Sequence, residues 1–499
     1  MNFKTFLFLI LLNLVSDFSF SQDKTLVKNE YISIEKLHED IDILKSNLES
    51  IHAGLYNYTT KDEMDRAFEN VKSQIKTPLT SIEFYRRIVS LHRYIKNGHT
   101  IIIPSEDFDQ TTATTKPILP IDVYWDKGFL YVLRNNSNDG ITIPIGVRID
   151  TINGRNASEL FLEMASLWTR DGNNTTFPEG ITQRAFAGFY INFIGSPKNY
   201  ELVYTDDSGN SHKTNIKALT TPEIDKNRLE RYGDIRYYWT KDDGDAITLD
   251  IKGNIALLRI KTCANSDIRK FGSSIKGILN RFFRKILDNE IAHLIIDIRD
   301  NGGGDEIISR ELFLHISQKP FVLFDDSYLI TNGIVNKKLY TENVVGVNTF
   351  AKIGLYKGDD GYYRQNRFGR FVFRSSAKFK EHKPYNKRYS GKIYTLTNAY
   401  TFSAAGEMAS SMKTNTDSLF IGEEPGGNSA QVVAGETFTL VLPNSKNRVI
   451  IPVVNQVLHT IATPRDRGVL PDYVVRNSIS DMINARDAVL EYTYKLIRD

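Results

Sequence analysis

The chain has 499 residues, too many for one ordinary domain, and 41% of them are hydrophobic, enough to fill substantial cores. Its 63 lysines and arginines nearly balance its 60 aspartates and glutamates and are scattered rather than striped, which argues against a nucleic-acid partner. Cys263 is the single cysteine, so an intrachain disulfide and a metal site of paired thiolates are both excluded.

Residues 1–22 place Lys4 before an apolar run at 6–15 and finish on Ser19, Ser21 and Gln22, the pattern of a secretory signal peptide. An exported protein, periplasmic or extracellular, is expected; a retained amphiphilic anchor is the alternative. The run is too short to cross a bilayer, and no later stretch supplies about 20 uncharged apolar residues, so no integral span is expected once the leader is removed. Over 34–51, Leu37, Ile41, Leu44, Leu48 and Ile51 recur at helical spacing. Two more amphipathic stretches follow at 61–75, where Thr59 and Thr60 can cap, and at 81–95. Together they predict a helical N-terminal domain over 23–110, closing in Lys96-Asn97-Gly98-His99-Thr100 and a strand at 101–103.

The period then changes. Short apolar runs at 120–125, 129–133 and 147–152, separated by polar turns, predict a β-rich module over 111–220. Residues 145–154, Ile-Gly-Val-Arg-Ile-Asp-Thr-Ile-Asn-Gly, lead into a helix at 157–167 and resemble a stretch of PDZ domains, which bind peptides by strand addition; an ordinary strand-turn-strand is the alternative. The charged passage 217–233 reads as a linker. Beyond it, strands at 255–260, 292–298 and 321–324 alternate with helices at 268–287 and 306–316, which favours an α/β core with parallel strands over 221–499. Residues 341–387 lack periodicity and read as an insertion or lid.

Two segments have the composition of a catalytic site. A buried strand breaks into Asp300-Asn301-Gly302-Gly303-Gly304, where residues without a Cβ let backbone amides approach a ligand. A strand at 393–396 precedes Thr401-Phe402-Ser403-Ala404-Ala405, which sets a hydroxyl at the start of a helix; a nucleophile gains dipole support there, and a plain N-cap uses the same position. Asp305 and Glu306 follow the glycines where a phosphate-binding loop needs Gly-Lys-Ser/Thr, so phosphate is disfavoured. Ser403 lacks the G-x-S-x-G elbow of α/β-hydrolases. Cys263 ends an apolar strand-like run and reads as structural rather than as a rival nucleophile.

In chain order, Asp297-Ile298-Arg299-Asp300-Asn301-Gly302-Gly303-Gly304, Tyr400-Thr401-Phe402-Ser403-Ala404-Ala405, Ile421-Gly422-Glu423-Glu424-Pro425-Gly426-Gly427 and Arg467-Gly468-Val469-Leu470-Pro471-Asp472 resemble the C-terminal processing peptidases and tricorn-type serine peptidases. The resemblance covers roughly 30–480. It implies a multidomain α/β protein with a helical N-terminal domain, a PDZ-like module and a ClpP/crotonase-like catalytic core. It also implies hydrolysis of peptide bonds in a peptide or protein substrate, with no metal or organic cofactor.

Two bases are used in that family. The processing branch takes a lysine from a T-x-G-K-G setting, but here that setting reads Pro425-Gly426-Gly427-Asn428-Ser429, and Asn428 cannot accept the proton. Lys413 falls on the helix after the serine and reads as solvated. The tricorn-type branch takes a histidine from D-G-H-T, which Asn97-Gly98-His99-Thr100 resembles, so His99 is the expected base for Ser403. Among the nine histidines, His38, His52 and His92 are expected in solvated or boundary positions on helices, His293 packs on the central strand, and His459 is the rival base. The resemblance places an acidic residue three before the glycine of G-V-x-P-D; Arg465 stands there, and Asp466 is the nearest substitute to orient the base, or else a surface carboxylate. Asp472 is expected to serve its loop's own amides. Amides of Gly303 and Ala404 are the expected oxyanion hole. A non-catalytic peptide-binding protein on the same scaffold and a hydrolase of non-peptide esters or amides are the alternatives.

Overall fold

The computed structural model describes residues 30–108, 116–138, 140, 143–233, 245–270, 274–331, 339–340, 363–373 and 379–499; the expected leader at 1–22 and most of the insertion at 341–387 lie outside them. Helix Ile34–Ile51 buries the predicted stripe of Leu37, Ile41, Leu44, Leu48 and Ile51. Helices Lys61–Ser73 and Ser81–Ile88 each begin in a capping box, Thr60 with Glu63 and Thr80 with Glu83, which satisfies amides that no helical carbonyl reaches. A short turn at Val89–Leu91 joins the last of these to His92–Ile95, and Lys96, at φ 49°, ends it.

Residues 121–217 form an antiparallel sheet in the order Ile121–Asp126, Phe129–Asn135, Arg148–Ile152, Asn199–Thr205, Ser211–Lys217, with helix Ala157–Leu167 packed on it. The expected linker at 217–233 is instead mostly helix. Thr221–Tyr232 starts in a Thr220–Glu223 capping box with proline in its first turn, and buries only Ile224, so no apolar stripe betrayed it.

The central sheet runs Tyr473–Val474, Leu419–Gly422, Lys392–Thr397, His293–Asp297, Ile255–Ile260, Ile247–Lys252, parallel except at the last pair. Helices Ile275–Asp288, Ile307–Ile316 and Ala404–Asn415 share its core. The helix expected at 268–287 is two, because Ser274 caps a fresh start after Asn265–Lys270. The strand expected at 321–324 lies at Phe324–Leu329 and belongs to a different sheet.

That third sheet is built on a long hairpin, Gln431–Val441 with Arg448–Leu458, for which sequence periodicity offered no element. On one edge it takes up Ile101–Ile103 in antiparallel register, Ile101 opposite Ile450 and Ile103 opposite Arg448. A single hydrophobic core joins the N-terminal helices, the antiparallel sheet and the hairpin, and includes Phe402 beside Ser403. Residues far apart in the chain therefore share one interior.

Candidate active site

Strand Lys392–Thr397 ends in a turn fixed by Thr401, whose hydroxyl donates to the Ile298 carbonyl at 2.9 Å. The next amide, Phe402 N–H, donates to the Asn301 carbonyl at 3.0 Å, tying the serine segment to the glycine loop. Ser403 then takes φ 55° and ψ −129° at the start of the buried helix Ala404–Asn415. Side chains rarely adopt that backbone region, and holding one there costs about 1–3 kcal/mol, a cost characteristic of functional positions. Across from it, Gly303 has φ 97°, and a Cβ added there would stand 2.6 Å from Ser403 Cβ and 2.8 Å from the Ala404 nitrogen. Only glycine fits.

His99 reaches this place because its segment runs directly into the strand that the hairpin captures at Ile450. Its Nε2 lies 3.1 Å from Ser403 Oγ, a contact between residues 304 positions apart. The ring stacks on Phe402 with centroids 4.7 Å apart, and Phe402 stacks in turn on Phe177 at 4.3 Å. Burial pushes the imidazole down to about 4, so it is neutral at physiological pH.

A chain of hydrogen bonds sets the loop. Gly54 N–H donates to His52 Nδ1 at 3.1 Å, which leaves the proton on Nε2, 2.8 Å from Thr100 Oγ1. Thr100 then donates to Asn97 Oδ1 at 2.7 Å, and the Asn97 amide group points to the Val433 carbonyl and to Asp171. His92 Nε2 accepts from Ile102 N–H at 2.9 Å while its Nδ1 faces the Leu167 carbonyl at 2.9 Å, pinning the strand that follows His99. His52 and His92 are thus fully buried structural groups rather than the boundary residues the sequence suggested, and burial holds both at about 4.

Ser403, His99, Gly303 and Ala404 come together. Two details differ from expectation. The Gly303 N–H donates to Asn301 Oδ1 at 2.9 Å, so it is engaged, whereas no hydrogen-bond partner engages the Ala404 amide at the helix start among the described residues. Asp466 does not meet His99: its carboxylate accepts from Asn173 Nδ2 at 2.6 Å in an exposed loop, and its carbonyl accepts from Asn173 N–H at 2.7 Å. His459 pairs with Asp325 at 2.7 Å near the surface. Asn428 braces its own loop, accepting from the Ala430 and Gln431 amides. Lys413 is half-exposed and salt-bridged to Asp472 at 2.9 Å, and Asp472 also accepts from Phe420 N–H. Cys263 is buried, its N–H donating to the Gly303 carbonyl, so its part is to hold the glycine loop.

Sequence reading missed Asp171. It is buried beside residues 97–99, and its Oδ1 accepts from Gly98 N–H at 2.7 Å. Its turn, Asp171-Gly172-Asn173-Asn174, looks like any polar loop, and no signal in the sequence marks it. Between the antiparallel sheet and the central sheet, next to Asp300 and Tyr400, opens a cavity of about 340 Å³. Its charges are largely paired, Arg184 with Asp300 and Arg476 with Glu423 at 3.3 Å. Among the described residues no three His, Cys, Asp or Glu side chains converge as metal ligands would.

Residues 254–475 match the family model of peptidase family S41, a match that supports a serine-type peptidase. No curated protein matches the chain. Among solved structures it is similar to mature CPAF, at 14% identity and a TM-score of 0.60, over 93% of this chain and 96% of that one, a likeness of fold. The photosystem II D1 C-terminal processing protease (11% identity, TM-score 0.39, covering 91% and 98%) and tricorn protease (17%, 0.33, covering 93% and 36%) are looser matches.

Proposed function

We propose that Ser403 is the nucleophile of this peptidase and His99 its general base. The carrying observation is the 3.1 Å contact between a buried, neutral imidazole and a hydroxyl held in a strained backbone at a helix start. Ser403 O–H donates to Nε2 and attacks the peptide carbonyl as the proton moves to the ring; the ring gives that proton to the leaving amine as the C–N bond breaks, and water, losing a proton to the ring, then hydrolyses the acyl ester while the ring reprotonates the Ser403 oxygen. The developing oxyanion meets the Ala404 amide and the positive end of helix Ala404–Asn415; an amide of the glycine loop completes the pocket once Gly303 exchanges its bond to Asn301 for the substrate. Substrate chain lies along the cavity beside Tyr400, where the antiparallel sheet, read as PDZ-like, presents it.

Export follows from the leader-like residues 1–22; among the described residues no helix is long and apolar enough to cross a membrane. N-terminal sequencing of the protein recovered outside the cytoplasm should begin near residue 23, and recovery only from the cytoplasm with Met1 intact contradicts export. The catalytic assignment is tested by cleavage of a peptide library beside simple esters. Wild-type protein should cut peptides and Ser403→Ala should cut none; turnover of esters with inert peptides would reassign the substrate.

A further inference from the structure

Among the described residues, Nδ1 of His99 and Oδ2 of Asp171 are buried polar atoms without a hydrogen-bond partner. One is a donor whenever Nε2 faces the serine hydroxyl as an acceptor, and the other belongs to a carboxyl group. They are neighbours through the backbone, since the other oxygen of the same carboxylate already holds the N–H of Gly98 at 2.7 Å, and a Cβ on Gly98 would stand 3.2 Å from the Asp171 carboxyl carbon. Leaving either atom unsatisfied in the interior costs about 1–3 kcal/mol, and a bond between them relieves both. The expected acidic partner is absent elsewhere, with Arg465 at its place in the sequence and Asp466 occupied by Asn173.

We propose that Asp171 is the positioning residue of His99, accepting a hydrogen bond from Nδ1–H, directly or through one water, so that the Nε2 lone pair faces Ser403. This rests on the reading of His99 as base. The carboxylate also stabilises the imidazolium that forms as the serine proton arrives, as the buried acid of a triad does. Burial raises the Asp171 acid to about 7 while the backbone amides of Gly98 and Asn428 lower it, and a cation forming beside it lowers it further. Asn97 Nδ2 also faces Asp171, at 3.4 Å, and Tyr58 is the further ionisable group that feels its charge, with Gln431, Asp466 and Arg465 acting on Tyr58 in turn.

The test combines inactivation by a fluorophosphonate probe, read separately as kinact and KI, with the low-field proton spectrum of His-labelled protein. In wild type a Nδ1–H resonance should be present and vanish in His99→Ala. Asp171→Asn keeps an acceptor for Gly98 but offers the ring an N–H, favouring the wrong tautomer; it should lower kinact by about 10²–10⁴-fold at little-changed KI and lose the resonance. An inert His99→Ala beside an Asp171→Asn within about threefold of wild type overturns this proposal alone. So does a slowed Asp171→Asn that keeps the resonance, because the role is then structural. A His99→Ala that reacts like wild type removes the base and this proposal with it. If Asp171→Asn does not fold, the wild-type spectrum decides, and absence of a Nδ1–H signal overturns the assignment.

Discussion

At Ser403 the chain holds a side chain where most backbones would place glycine, and at Gly303 it has kept glycine where any side chain would strike that serine. Both positions were legible in the sequence, the first from a hydroxyl opening a helix of small residues, the second from three glycines ending a buried strand. Gly303→Ala should therefore cost activity out of proportion to its size. The added methyl meets Ser403 Cβ at 2.6 Å and the φ of 97° is strained for alanine, so peptide hydrolysis should fall by about 10²-fold or more and the melting temperature should drop. Gly302, where a Cβ meets nothing within 4 Å, is the control, and Gly302→Ala should retain most activity. Equal losses from the two would mean that the loop needs flexibility rather than clearance. Asp171 was not legible, because its meaning comes from a fold that brings a polar turn under residues 97–99, and no periodicity records that.

Helices are legible where several apolar residues are buried, as at Ile34–Ile51 and Ala157–Leu167, and not where burial is slight, as at Thr221–Tyr232 despite its capping box. The strand Ile101–Ile103 was visible from sequence, but its partner was not. A run of three isoleucines carries no information about which distant strand it joins. That pairing positions His99, so Ile102→Ala, at a fully buried position, should cost about 2–5 kcal/mol and slow hydrolysis as well. Unchanged kcat in the folded fraction would show that the His99 loop holds its place without the strand.

In the whole molecule, chemistry and folding are coupled through one core that runs from the N-terminal helices to the hairpin. Overall α/β character followed from alternating patterns. The third sheet did not, because its long strands are nearly all buried and lack the polar alternation that marks an exposed sheet. Buried histidines give the assembly a pH signature. Folded His92 sits at about 4, below the ordinary 6.5, so as pH falls the unfolded chain binds the proton first, and stability is lost between about 6.5 and 4. His92→Gln should flatten the stability–pH curve by about 1.4 kcal/mol per pH unit in that window. Asp171 and Glu436, held up near 7, tilt the curve the other way, so the comparison is of variant with parent. Identical slopes in chemical denaturation at pH 4.5 and 6.5 would show that His92 is protonated in the fold.

The central claim is that residues 304 positions apart form one proton-transfer pair. Mass-spectrometric mapping of the fluorophosphonate adduct in wild type, Ser403→Ala and His99→Ala tests it most directly. The account expects a single adduct on Ser403, absent from Ser403→Ala and slowed by several orders of magnitude in folded His99→Ala. Rapid labelling of Ser403 without His99, or an adduct on another residue, would contradict it.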